Sequence, residues 1–226
     1  MGGTGTGTPV TPVSTIAFEE FLPEVMPNVP GCPEMLALNH IRHACREFCR
    51  MTTIWRVTLN AMNVTADEHS YPLPLPVGSD LVIPHYVEYD SSPLNPLTED
   101  QLDESVVDWR NADSSTPTNY LIYSRGVIRL YVPPSENGTD ILVVRVSVKP
   151  SLNATAVGEV VYNDWLEEVA SGALSRLMRM PGKEWGSPDL SVYHERIFQN
   201  GIAKARATAD RHGNVRTSRH VKMQAF

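Results

Sequence analysis

The chain has 226 residues, 42% of them hydrophobic, and a net charge of −7 at pH 7. That length and apolar content exclude a disordered polymer and permit one substantial core, or one core with a smaller lobe. The 18 prolines, gathered near the amino end and in the middle, exclude an all-helical protein and predict a loop-rich β region.

The chain opens on MGGTGTGTPVTPVS, a low-complexity stretch, and a flexible amino-terminal arm is expected over residues 1–32. Its glycines follow no strand and open no helix, so they do not make a phosphate loop. Phe18, Phe21, Leu22, Val25 and Met26 are available to pack, while Pro23, Pro27, Pro30 and Pro33 forbid one long helix. From Pro33 to about Ile54 the period becomes helical. Met35, Leu38, Ile41, Cys45, Phe48, Cys49 and Thr52 form one stripe, with His40, Arg42, His43, Arg46 and Glu47 mostly off it. The two histidines project well away from the two cysteines, so the four side chains cannot converge on one tetrahedral ion. Core cysteines and surface histidines are expected, with no metal site. Cys32, Cys45 and Cys49 are an odd number without paired-thiol spacing, which points away from a disulfide framework and towards a reducing compartment.

After Trp55 the period shortens to two. Arg56 to Asn60 alternates, as do parts of Ser70 to Pro76 and Asp80 to Tyr89, and strands cut short by Pro72, Pro74, Pro76 and Pro84 are expected. Pro76-Val77-Gly78-Ser79 reads as a turn. Thr98-Glu99-Asp100-Gln101 has the form of a capping box, after which Leu102, Val106 and Trp109 mark one side of a short helix. Tyr120 to Ser124, Val127 to Val132 and Ile141 to Val148 then suggest an antiparallel meander. The punctuation is Ser124-Arg125-Gly126 and Pro133 to Gly138. In the last of these strands Leu142, Val144, Val146 and Val148 oppose Ile141, Val143, Arg145 and Ser147, so one side should be buried.

Tyr162 to Arg211 reads as two helices joined by a stiff corner. Trp165, Val169, Ala173, Leu177 and Met180 make the first apolar stripe, with Glu167, Glu168, Ser175, Arg176 and Arg179 largely outside it. Pro181-Gly182 ends that helix, and Ser187-Pro188 with Asp189 starts the next. Leu190, Tyr193, Ile197, Gly201 or Ile202, and Ala205 supply the second apolar side. The expected fold is α+β. Residues 33–55 and 156–210 form a small antiparallel helix bundle, one amino-terminal helix plus a carboxy-terminal hairpin. Residues 56–155 form an inserted antiparallel β-rich domain, and 211–226 a basic carboxy-terminal arm.

Charge is unevenly spread. Glu88, Asp90, Glu99, Asp100, Asp103, Glu104, Asp108 and Asp113 face one base, Arg110, in the segment they define. From Lys204 onward Lys204, Arg206, Arg211, Arg216, Arg219 and Lys222 accompany a single acid, Asp210. Such polarity suits head-to-tail contact between copies, docking on an acidic partner, or simply a solvated basic end. The chain lacks a Gly-x-Ser-x-Gly elbow, a His-Glu-x-x-His helix and a Cys-x-x-Cys pair. His69, His85 and His194 are isolated in sequence, and the acids from Asp100 to Asp108 read as a solvated face. No catalytic residue, metal or cofactor is therefore expected. The Asn63, Asn137 and Asn153 glycosylation patterns are what an Asn- and Thr-rich chain produces by chance. No leader pattern and no membrane-length apolar run occur, so a soluble chain that is not exported by the usual route is expected.

Several phrases, taken in order, carry a resemblance. They are Pro117-x-x-Tyr120, Gly126 to Pro133, Lys149-Pro150, Gly172-Ala173-Leu174-x-x-Leu177, Met180-Pro181-Gly182-Lys183-x-Trp185, and Tyr193-His194 through Phe198 to Gly201-Ile202. Over residues 33–210 this order resembles bacteriophage head-to-tail adaptor proteins, neck proteins related in plan to tail tubular protein A. The resemblance implies a structural virion protein and no enzyme. It implies a homo-oligomeric ring, usually of twelve copies, beneath the portal protein, around the channel for the genome DNA and offering a platform to the next tail or nozzle protein. The place implied is the virion neck, reached from the host cytoplasm during assembly, with no membrane partner and no sequence recognition of the DNA. Family members reach the portal with their carboxy-terminal segments. On that basis Arg211, Arg216, Arg219 and Lys222 are the expected electrostatic contacts and Val221, Met223 and Phe226 the apolar anchors. A nucleic-acid-binding module acting through the same basic tail is the alternative, and its binding would weaken steeply with salt.

Overall fold

A computed structural model describes residues 14–105, 108–124 and 126–212. The expectations for the Gly-rich start, Val106, Arg125 and the tail beyond His212 lie outside the described residues. The first strand, β1 (Thr15–Ala17), is followed by a 3-10 turn and the short helix α1 (Leu22–Val25). Residues 14–32 depart from the flexible arm expected over 1–32. Phe18, Phe21, Val25 and Val29 are buried in the main core, and the Phe18 amide donates to the Thr155 carbonyl at 3.1 Å. Apolar residues spaced three or four apart outweigh the proline breaks here, because each short piece needs only one turn to bury its side chain.

Helix α2 (Glu34–Thr52) buries Leu38, Ile41, Cys45, Phe48, Cys49 and Thr52, six of the seven residues in the expected stripe. Met35, the seventh, is exposed in the first turn. Thr53 closes the helix in the left-handed region at φ 52°, its amide bonded to the Cys49 carbonyl at 3.0 Å.

The β region forms two sheets. Strands β2 (Arg56–Thr58), β3 (Met62–Val64), β4 (Ser70–Pro72), β5 (Ser79–Tyr89), β6 (Ser92–Pro93) and β7 (Asn95–Pro96) precede helix α3 (Glu99–Ser105). Strands β8 (Asn119–Ser124), β9 (Val127–Leu130), β10 (Gly138–Pro150) and β11 (Ala156–Gly158) follow. The first sheet runs β2-β10-β5-β6 with β3 also on β10, and the second runs β4-β9-β8-β7. The expected meander is thus divided. β8 and β9 pair antiparallel, but β10 leaves them and pairs antiparallel with β5, β2 and β3. A strand of 13 residues with a fully apolar face finds more buried surface at the centre of the larger sheet than at the edge of a short hairpin. Leu142, Val144, Val146 and Val148 are all buried, and so is Ser147 from the opposite side.

Pro84 does not cut its strand. β5 runs through it, because the ladder to β10 shifts register between Arg145 and Val146 and because β6 covers only Glu88 and Tyr89 on the other edge. The Pro76–Ser79 turn forms as expected, with Gly78 at φ 76° and the Ser79 amide bonded to the Pro76 carbonyl at 3.1 Å.

A two-stranded pair, β1 with β11, leads into helix α4 (Glu159–Met178), and helix α5 (Pro188–His212) follows the corner. α4 is kinked at Trp165, whose φ of −137° and ψ of 23° are not helical. Ser171 meets His194, and Gly172 and Gly201 lie close to Phe198 and Glu168 across the two helices, so α4 and α5 pack on each other. α2 packs against α4, α5 and β10, and one continuous core joins the helices to the larger sheet. Leu102, Trp109 and Leu121 make a separate, smaller core under α3.

Candidate interaction surfaces

The basic tail is the segment to which sequence reasoning assigned partner contacts. Arg211 lies at the exposed end of α5. Arg216, Arg219, Val221, Lys222, Met223 and Phe226 lie outside the described residues.

The buried face of α5 departs from the expected one at its start, while Gly201, Ile202 and Ala205 are buried as expected. Ser191, Phe198, Gly201, Ile202, Ala205 and Ala209 are buried, whereas Leu190, Val192 and Tyr193 are exposed. Polar contacts account for the departure. The Ser191 hydroxyl donates to the Ser175 carbonyl at 2.8 Å, and the Ser175 hydroxyl donates to Glu195 at 2.9 Å. Ser175, expected off the α4 stripe, is fully buried. Burial raises the Glu195 carboxyl, but hydrogen bonds from Gln199 and Ser175 and the guanidiniums of Arg176 and Arg179 more than offset this, leaving its pKa below the ordinary value. Leu190 and Tyr193, which hydrophobic periodicity had assigned to the interior, are therefore exposed, as is Val192.

The acidic segment begins with the predicted capping box. The Thr98 amide donates to Gln101 at 3.0 Å and the Gln101 amide to the Thr98 hydroxyl at 3.2 Å. Asp103 accepts from Arg110 at 2.7 Å and from the Trp109 indole at 2.7 Å, and Arg110 and Arg129 both approach the Trp109 ring. Hydrogen bonds from Arg110 and then Trp109 lower the Asp103 pKa. Glu99, Asp100 and Glu104 are exposed and enter no ion pair among the described residues.

Two concavities remain. One is an apolar cleft between the sheets, lined by Ile83, Tyr86, Leu94, Leu97, Tyr120 and Ile122 among others. The other gathers His40, His43, Arg46, Glu47 and Arg50 from α2, Lys149 from β10 and Arg176 from α4. Arg46 is bound to Asp80 at 2.9 Å and to the Pro150 carbonyl at 2.5 Å, and Arg176 to Glu47 and the Gly172 carbonyl. Helical spacing could have revealed this group in the sequence, since residues 40, 43, 47 and 50 lie within three turns on one side of α2. Lys149 and Arg176 join it only through tertiary structure.

The sequence-isolated histidines separate in space as well. His85 meets the Ser147 hydroxyl, and His194 lies 3.3 Å from the Ser171 hydroxyl. Cys45 and Cys49 are buried, with thiols pushed up by burial, while His43 is exposed. Among the described residues no three His, Cys, Asp or Glu side chains group as metal ligands, and no helix is long and apolar enough to cross a membrane.

Compared with known families, residues 7–220 match the family model described as SU10 adaptor protein. No curated protein matches the chain.

Proposed function

The chain belongs to the SU10 adaptor protein family, a phage head-to-tail adaptor family, and from that premise we propose that copies of it form the ring joining the portal to the tail. The match across residues 7–220 carries the reading, since it makes the chain a phage structural adaptor protein. In this reading the ring holds twelve copies, sits in the virion neck, surrounds the channel through which the genome DNA passes, and presents a platform to the next tail or nozzle protein. The helices act as a bundle from which the β region projects. Assembly occurs in the host cytoplasm, and the tail from Arg211 onward attaches to the portal.

Charge distribution supports it physically. A closed ring of identical copies requires two unlike surfaces that fit each other, and α3 carries carboxylates that enter no ion pair among the described residues while cations cluster on α2, β10 and α4. Electron microscopy of the purified full-length chain, alone and with purified portal, tests the reading. Rings of fixed symmetry are expected in at least one preparation. Single copies in both would overturn it.

A further inference from the structure

The pocket on the outer side of α2 holds four cations and one carboxylate, Arg46, Arg50, Lys149 and Arg176 against Glu47. Glu47 is already engaged by Arg176, and Asp80 at the margin by Arg46. With Asp80 counted, Arg46 and Arg176 are matched and Arg50 remains. Arg50 is exposed on the last turn of α2 and enters no ion pair among the described residues. One ring nitrogen of His40, Nδ1, is buried and has no hydrogen-bond partner among the described residues. Burial, then His43 and Arg176, hold the His40 pKa below its ordinary value. A negative charge arriving in the pocket would reverse part of that effect.

The opposite charge is present in the same chain and does not reach the pocket. Glu99, Asp100 and Glu104 stand exposed on α3, a helix with no basic residue. α3 is anchored by Leu102 to Trp109 and Leu121 in the smaller core, and none of its residues lines the pocket. Complementary groups that one copy cannot bring together can be joined between two copies. Such a contact uses a different surface on each partner and repeats from copy to copy.

We propose that this pocket binds the α3 carboxylates of a second copy of the chain, forming the lateral contact between neighbouring subunits. The inference rests on the ring reading above and adds to it the two surfaces that meet. Arg50 makes the outermost contact, with Arg176 behind it, and Asp100 and Glu104 of the neighbour supply the charge. Concavity and the matching unpaired acids favour a protein carboxylate over the phosphates of DNA, which follow an extended surface path.

Charge reversal in the full-length chain tests this. Arg50→Glu alters the pocket, and Asp100→Arg with Glu104→Arg alters α3; all three positions are exposed, so circular dichroism and Tm should stay as in the unaltered chain. Sedimentation velocity, with and without portal, should show each altered chain associating at least about tenfold more weakly. In an equimolar mixture of the two altered chains every contact can be either unaltered on both sides or reversed on both sides, so larger assemblies should return. All three substitutions in one chain should restore larger assemblies. Rings that form equally well in the altered chains would overturn the proposal and leave the ring reading standing. Open chains or pairs in place of rings, with the predicted charge dependence, would overturn the ring reading and leave the pocket contact standing. Short duplex DNA that binds the unaltered chain and fails to bind Arg50→Glu would overturn the proposal in favour of a phosphate site.

Discussion

Ser147 has one hydroxyl proton, and its two neighbours decide where that proton goes. The Thr53 carbonyl, 3.0 Å away, can only accept, so the hydroxyl donates there and its lone pair faces His85 Nε2, which must carry the other proton. This small network ties β10 and β5 to the left-handed end of α2. Burial, followed by Arg56 and Arg145, holds the His85 pKa below its ordinary value. Burial also lowers His194, and burial with His43 and Arg176 lowers His40. For groups whose folded pKa lies below the unfolded one, the unfolded chain binds more protons on acidification. Their stabilising contribution is complete above the ordinary histidine value of about 6.5 and is lost as pH falls below it. Tm should therefore be lower at pH 5.5 than at pH 7.5, by a few degrees because all three rings are partly exposed to solvent. His85→Gln should flatten the dependence in a thermal melt followed by circular dichroism. A Tm that is constant or rises between those pH values would contradict the assignment.

Among the elements, the α4 and α5 pair depends on Gly172. A Cβ added there would meet the Phe198 ring at 2.5 Å, and that ring is fully buried against Phe48, 6.1 Å away between centroids. Gly172→Ala would gain about 1 kcal/mol of helix propensity. Overpacking should exceed that gain, giving a net loss of about 1–2 kcal/mol in urea unfolding. A variant more stable than the parent would show that the two helices separate without cost. How far sequence reveals such elements depends on what fills the buried face. α2 was legible because its buried face is almost wholly apolar, and the buried side of β10 was legible from strict alternation. The start of α5 was misread because it is oriented by Ser175 and Glu195, which carry no hydrophobic signal, whereas Gly201, Ile202 and Ala205 are buried as expected. The partner of β10 was not legible either. Local turns predict pairing with the strand just before, whereas the choice of β5 is a long-range competition for buried area. The basic pocket was half legible, since α2 supplies most of it at helical spacing and the remainder comes from elements more than a hundred residues away.

For the whole molecule, the main question is which parts belong to the fold and which are left for partners. The buried face of α5 ends at Ala209, and Asp210 and Arg211 are exposed. Removing residues 211–226 thus takes away no side chain known to be buried among the described residues, and secondary structure and Tm should be unchanged to within a few degrees. The same deletion takes away Arg211, Arg216, Arg219 and Lys222, together with Val221, Met223 and Phe226. In the proposed ring these groups attach the adaptor to the portal. The deleted chain should consequently fail to co-sediment with purified portal while still being able to associate with its own kind through surfaces on α2 and α3. Met223→Ala with Phe226→Ala should weaken portal attachment at all salt concentrations, because apolar burial is not screened. Arg216→Ala with Arg219→Ala should weaken it chiefly at low salt, where exposed charges act over a longer distance. Portal binding that survives the full deletion would move the attachment away from the tail and onto the folded part of the chain, where the exposed Leu190, Val192 and Tyr193 would be the next side chains to alter.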